Sequence, residues 1–324
     1  MRISDQLGSF AEIYYKPLGD KGEDALAYNL TRSEFHAQAV FDGCGGAGAW
    51  KYPEFKEASG AFVAAQSVSK LFLQWFERQD QTAVQNPAEL ADSFHKAAND
   101  CLQKLKSSCA PMGVAGSLVK SFPCTASIAL TTQEEPGSIL LTALNAGDSR
   151  VYFLSPEIGL IQMTKDDSRG NPDALQSLRD SAALSNLLNA DKPFKVATRQ
   201  VQLKLPCVVI CATDGVFGFL RSPMDFEYLL LKVLIEQDSI ASFEKAFEGA
   251  IRKVTGDDST CLLSFYGWSN YEDIKVSLQN RFAYVSQLIS QIDAAGDDRT
   301  TAEQIIEQQW QEYKKQTIWD EMQE

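Results

Sequence analysis

The stretch VFDGCGG, residues 40–46, runs from apolar residues into an aspartate and turns at once through glycine. An apolar run of this kind reads as the end of a strand, and Asp-Gly as the turn that closes it. Three further segments repeat the arrangement: GDSR at 147–150, ATDG at 212–215 and GDDST at 256–260. Each borders an apolar run, so strand ends would bring Asp42, Asp148, Asp214 and Asp257 to one edge of a sheet. Anions gathered in that way repel and call for divalent cations between them. Taken alone, Asp148 also reads as an ordinary hairpin turn, whereas Asp42 and Asp214 stand where a metal ligand is expected.

The donor type narrows the metal. Oxygen ligands suit Mg2+ or Mn2+, while zinc favours nitrogen and sulfur. The chain has two histidines, His36 and His95, both read as packing or surface residues, and seven cysteines without a CxxC pair, so no structural zinc site is expected. An odd number of scattered cysteines fits a reducing compartment, with Cys207, Cys211 and Cys261 as small core residues. The start of the sequence has no apolar leader and no stretch is long enough to span a bilayer, which predicts a cytoplasmic protein with no membrane partner. A net charge of −13 argues against nucleic acid or anionic membranes as partners. With 324 residues, 44% of them apolar, the chain can bury a sizeable core.

Hydrophobic periodicity predicts strands over 10–15, 25–29, 35–41, 124–131, 138–145, 150–154, 160–163, 198–205, 207–212 and 259–266. It predicts helices over 62–76, 88–105, 224–235 and 240–254. Between 168 and 195 strand character is lost, and Leu175, Leu178, Leu184, Leu187 and Leu188 suggest short helices. Strands grouped at both ends with helix pairs between them predict an α+β fold: two packed, mainly antiparallel β-sheets flanked by helix pairs. Beyond residue 267, Ile274, Leu278, Phe282, Val285, Ile289 and Ile292 form an amphipathic stripe. Thr300 with Glu303 then opens a second helix, making 268–324 a C-terminal helical hairpin. That hairpin either packs back onto the domain or binds a partner; Trp310 and Trp319, read as exposed, motivate the second option.

Taken in order, these motifs resemble the metal-dependent protein serine/threonine phosphatases of the type 2C class (PPM-type). The resemblance runs from Ile13 to Gly267. It is carried by KGEDA at 21–25, VFDGCGG, FPCTASIAL at 122–130, LNAGDSRVY at 144–152, QMTKDDS at 162–168, VVICATDGVFGFL at 208–220 and GDDSTCLLSF at 256–265. It implies that residues 1–267 form a phosphatase domain in an α-β-β-α sandwich, with a flap over about 168–197. It implies two Mn2+ or Mg2+ ions, with room for a third. Asp42 would bridge the two, and the Gly43 carbonyl would complete one shell, glycine keeping a side chain out of the way. Asp214 and Asp257 would hold the first ion, and Glu23 or Asp24 the second. Asp148 would join Asp214 at the third, and Thr125 would sit near the metal waters, though on its own it reads as a strand residue. For Asp257 against Asp258, the pattern favours the first as ligand.

The implied activity is hydrolysis of phosphoserine and phosphothreonine in proteins by direct attack of a metal-bridging hydroxide, without a phosphoenzyme. The implied partners are a phosphorylated protein substrate and a cognate kinase or its target. Several positions depart from the family's pattern. Cys44 follows Asp-Gly where His or Met is common, and reads as a small buried thiol or a redox-sensitive one. Pro123 replaces a usual Gly, and Asp167 a usual His. Gly19 stands where many members place a phosphate-binding Arg, leaving Lys16 or Lys21 as substitutes without the planar fork. These departures motivate a second reading, a catalytically weak pseudophosphatase acting as a protein-binding module.

Overall fold

The computed structural model describes residues 7–17, 19, 22–32, 35–110, 119–133, 135–170, 172–179 and 183–317. The strands are β1 (Leu7–Tyr15), β2 (Tyr28–Arg32), β3 (Phe35–Val40), β4 (Lys51–Tyr52), β5 (Ala58–Ser59), β6 (Ala126–Thr132), β7 (Ser138–Ala146), β8 (Arg150–Ser155), β9 (Gly159–Gln162), β10 (Ala197–Lys204), β11 (Cys207–Ala212) and β12 (Ser259–Tyr266). Two five-stranded sheets form the centre, in the orders β1-β12-β11-β8-β9 and β10-β7-β6-β3-β2. Every neighbouring pair in them is antiparallel.

The alternation within β11 explains the layering. Cys207, Val209 and Cys211 face the layer between the sheets, while Val208, Ile210 and Ala212 face outward into a second core. A strand buried on both faces reads as the unbroken apolar run CVVICA. The outer face of the first sheet is covered by α6 (Pro223–Glu236), α7 (Ile240–Ile251), α8 (Tyr271–Asp293) and α9 (Arg299–Thr317). The outer face of the second is covered by α2 (Gly60–Phe76) and α3 (Pro87–Ser107), through Val68, Phe72, Leu90 and Phe94. Ser59 caps α2 by accepting from the Phe62 N–H at 3.1 Å, and Ser222 caps α6. Short helical turns occupy α1 (Gly45–Gly48), α4 (Ala174–Arg179) and α5 (Asp214–Phe217). The predicted two-sheet α+β sandwich is therefore the observed one.

Polar contacts also cross between the sheets. His36 on β3 lies among Thr131, Tyr266 and Asn29, fully buried. Beside it, Ser264 donates to Gln38 Oε1 at 2.6 Å. Burial pushes the His36 pKa down to about 3, so the ring is neutral there.

Three expectations need correction. The predicted strand over 25–29 starts only at Tyr28, because the Glu23 and Asp24 N–H groups donate to Asp258 and the Ala25 N–H to the Phe41 carbonyl, leaving no ladder for this segment. Leu184 and Leu188 are not helical: they pair as single bridges with Ser168 and Cys124, which draws this segment across the end of the sheet. Trp310 is not exposed. It is completely buried, with its indole N–H donating to Asp173 at 2.8 Å, because α9 packs beside β9 and the start of the flap. Trp319 lies outside the described residues. Among the described residues no helix is long and apolar enough to cross a membrane.

Candidate metal centre

Three strand ends build the site. β3 leads into Asp42, whose N–H donates to Thr125 Oγ1 at 3.3 Å and whose carbonyl accepts from the Thr125 N–H at 2.8 Å. β7 leads into Gly147, at φ +103°, where a Cβ would lie 2.6 Å from Thr125 Cγ2; only glycine turns the chain here and delivers Asp148. β11 leads through Thr213 into Asp214, the first residue of α5. One carboxylate oxygen from each of Asp42, Asp148 and Asp214 lies within 4.8 Å of the others.

A second group of carboxylates flanks this triple. Asp24 is buried, and its Oδ2 accepts from Thr213 Oγ1 at 3.0 Å and Thr260 Oγ1 at 2.6 Å. Glu23 accepts from the Ser59 hydroxyl. Asp258 is the buried member of its doublet and holds the loop bearing both: its Oδ2 accepts from the Glu23 N–H at 2.5 Å and the Asp24 N–H at 3.2 Å. Asp257 is exposed, close enough to Asp214 to raise its pKa, and outside the triple among the described residues. Gly43 packs so tightly that a Cβ would sit 2.8 Å from the carbonyl oxygens of Ala61 and Glu23. Thr125 is fully buried and hydrogen-bonds to Ser149 at 2.6 Å; it anchors Asp42 from beneath and does not line the cavity.

The electrostatics follow from this crowding. Burial, then the neighbouring carboxylates of Asp24, Asp214 and Asp148, hold the Asp42 carboxyl well above the usual range. Asp148 is raised in the same way by burial and Asp214. Burial raises Asp24 to about 7 and, with Asp257, Asp214 to about 6. Crowding that disfavours the ionised forms in this way is what a bound cation relieves, and the donors offered are all oxygen. The residues present fit divalent ions of the Mg2+ or Mn2+ type. Behind them Arg150 forms a buried bidentate pair with Asp166, at 2.8 and 2.6 Å, with its guanidinium 4.2 Å from the centre of the Phe217 ring. The pair fixes the end of β8 under Asp148.

The carboxylates open into a cavity of about 650 Å3 lined by Glu23, Asp42, Asp148, Asp214, Asp257 and Asp258 on one side and by flap residues on the other. Among the described residues, the cations Lys120, Arg169 and Lys192 also line it. Sequence reasoning missed them because a lysine or arginine in a loop carries no pattern to say which way it faces. It also missed the anchoring role of Asp258, for which the doublet in GDDST was the available signal. Lys16 is committed elsewhere, donating to the Gly22 carbonyl at 3.1 Å, and does not line the cavity; Lys21 lies outside the described residues. Cys44 lines the cavity half-buried, and burial followed by Asp42 and Asp148 pushes its pKa up, keeping it a thiol. Neither histidine lines the cavity.

Two antiparallel sheets between helix layers, with carboxylates converging at the strand ends, are the fold of the type 2C serine/threonine phosphatases. Serine/threonine phosphatase Stp1 from Staphylococcus aureus superposes with a TM-score of 0.59 at 16% identity, over 81% of this chain and 98% of that one. The catalytic domain of the serine/threonine phosphatase PstP, solved in complex with two manganese ions, gives 0.53 at 15% identity, over 80% and 98%. A sex-determining protein of C. elegans gives 0.60 at 16% identity, over 83% and 67%. At the level of sequence alone, no protein-family model and no curated protein matches the chain.

Proposed function

We propose that this protein is a Mn2+- or Mg2+-dependent phosphatase that hydrolyses phosphoserine and phosphothreonine in cytoplasmic proteins. The observation that carries the reading is the convergence of Asp42, Asp148 and Asp214 within 4.8 Å on the wall of a 650 Å3 cavity. Asp42, Asp214 and Asp257 would hold one ion. Asp42, the Gly43 carbonyl and Glu23 or Asp24 would hold the second, and Asp148 would contribute to a third with Asp214. When bound, such ions supply an activated water and neutralise the phosphoryl oxygens.

The remaining work falls to the chain itself. Thr213 and Thr260 fix the Asp24 carboxylate, and Asp258 fixes the loop that carries Glu23. Thr125 and Ser149 hold the Asp42 turn from behind. Flap residues from Ala183 to Pro193 wall the cavity, so a phosphorylated side chain would be oriented between them and the carboxylates. With no histidine at the cavity, the departing alkoxide would take its proton from water.

The test is hydrolysis of p-nitrophenyl phosphate and a phosphothreonine peptide in Mn2+, Mg2+ or EDTA, beside Asp42→Asn and Asp214→Asn. Turnover that requires metal and is lost in both variants supports the reading. Absence of turnover from a folded, metal-supplied protein overturns it in favour of a protein-binding module.

A further inference from the structure

Although the chain carries a net charge of −13, several cations gather around the flap. Lys120, Arg169 and Lys192 line the cavity that holds the carboxylates. A second cavity of about 600 Å3 lies beside it, lined by Lys165, Arg169 and Arg199. Arg169 and Ser185 belong to both, so the two cavities adjoin. Lys165, Arg169 and Lys192 are exposed.

Among the described residues, the acidic ones that line the second cavity are already engaged. Asp166 is held by Arg150 in the buried pair, and Asp167 Oδ2 accepts from the Gly147 N–H at 3.0 Å and from Asn186 Nδ2 at 2.6 Å. Near the first cavity, Asp191 pairs with Lys106 at 2.7 Å and accepts from the Ser121 N–H. The Lys120 pKa is lowered by burial and then by Lys192, with Asp191 opposing the shift and Arg169 adding to it, which puts these cations near one another. Such an arrangement attracts an anion that is larger than one phosphate, since the phosphate itself belongs at the carboxylate-bound ions.

We propose that Lys192, Arg169 and Lys165 form a continuous cationic track, from the metal cavity into the second cavity, that selects phosphorylated segments flanked by acidic side chains. This deepens the phosphatase reading and rests on it for the position of the phosphate. The track would act on the flanking side chains and not on the phosphate, with charge spread over several groups.

The test measures binding, so that it does not depend on turnover. Hydrolysis-resistant phosphonate peptides flanked by Glu, by Gln or by Lys are titrated into the Mn2+-supplied protein by fluorescence anisotropy. The Glu-flanked peptide should bind about ten-fold more tightly than the Gln-flanked one, as several partly exposed ion pairs together supply. That preference should weaken with salt, shrink to about two-fold in the double variant Lys165→Gln/Arg169→Gln, and turn toward the Lys-flanked peptide in Lys165→Glu/Arg169→Glu. Equal affinities for the three peptides in the unmodified protein would overturn the proposal, as would a preference untouched by both double variants. Hydrolysis of p-nitrophenyl phosphate is scored separately. Turnover without the acidic preference refutes the track alone, and the preference without turnover refutes the phosphatase reading alone.

Discussion

Arg281 on α8 holds Glu227 on α6 through two parallel hydrogen bonds of 2.7 Å, Nε to Oε1 and Nη2 to Oε2, with both side chains buried. Glu227 also accepts from the Leu160 N–H at 2.9 Å and from the Tyr313 hydroxyl at 2.5 Å, so one carboxylate ties together β9, α6, α8 and α9. α8 and α9 share an apolar core with the first sheet through Ile274, Leu278, Val285, Ile306 and Trp310.

Removing one partner strands the other charge in the core. Glu227→Ala should therefore destabilise the protein by about 3–5 kcal/mol, far more than loss of a surface pair. Urea unfolding of Glu227→Ala, Arg281→Met and Glu227→Ala/Arg281→Met measures it. The double variant should recover much of the loss, since the uncompensated charge is gone. Additive single losses would show that the pair is not coupled.

Burial that keeps His36 neutral makes stability depend on pH with a definite sign. The unfolded chain takes up a proton as pH falls below about 6.5, whereas the folded ring does so only near 3. Stability is therefore lost between those values as the solution is acidified, by about 2 kcal/mol at pH 5 from this one group. The difference in unfolding free energy between the unmodified protein and His36→Gln, measured at pH 7 and pH 5, isolates the term from the titration of the carboxylates. A difference unchanged between the two pH values would refute it.

The layers of the fold were legible because apolar alternation is a local property: CVVICA carries both faces of β11 in six residues. The convergence of Asp42, Asp148 and Asp214 was legible for a related reason, since each follows the end of an apolar strand. The failures lie where long-range contacts decide. Ala25 was read as strand, but Asp258, more than two hundred residues away, holds the backbone beside it. Trp310 was read as exposed because the surface that buries it, near Asp173 in the flap, belongs to another part of the chain. Which of Asp257 and Asp258 turns inward also depended on contacts with residues 23 and 24.

The hydroxyls that fix Asp24 predict an effect on the metal without a change in its ligands. Thr213→Val removes the 3.0 Å donor to Asp24 Oδ2 and also the acceptor for the Thr260 N–H at 2.9 Å. Partners of this type are worth about 10–100-fold in metal affinity. Calorimetric titration of Mn2+ into metal-stripped Thr213→Val should show a loss in that range. Affinity equal to that of the unmodified protein would place Asp24 outside the metal's surroundings.

Asp42 makes the sharpest prediction, because its sign reverses with metal. In the metal-free fold burial, then Asp24, Asp214 and Asp148, raise its pKa well above the ordinary carboxylate range, which the unfolded chain keeps. A folded pKa raised in this way makes the group a cost at pH 7 that fades as pH falls toward the ordinary carboxylate range. Asn at this position carries no such cost, so Asp42→Asn should melt at a higher temperature than the unmodified protein in EDTA. With Mn2+ at a hundred times its dissociation constant, the unmodified protein should gain about 2.7 kcal/mol and the variant far less. The two melting curves should therefore exchange order between EDTA and Mn2+. If Asp42→Asn is the less stable in both, repulsion among these carboxylates is not what shapes the site.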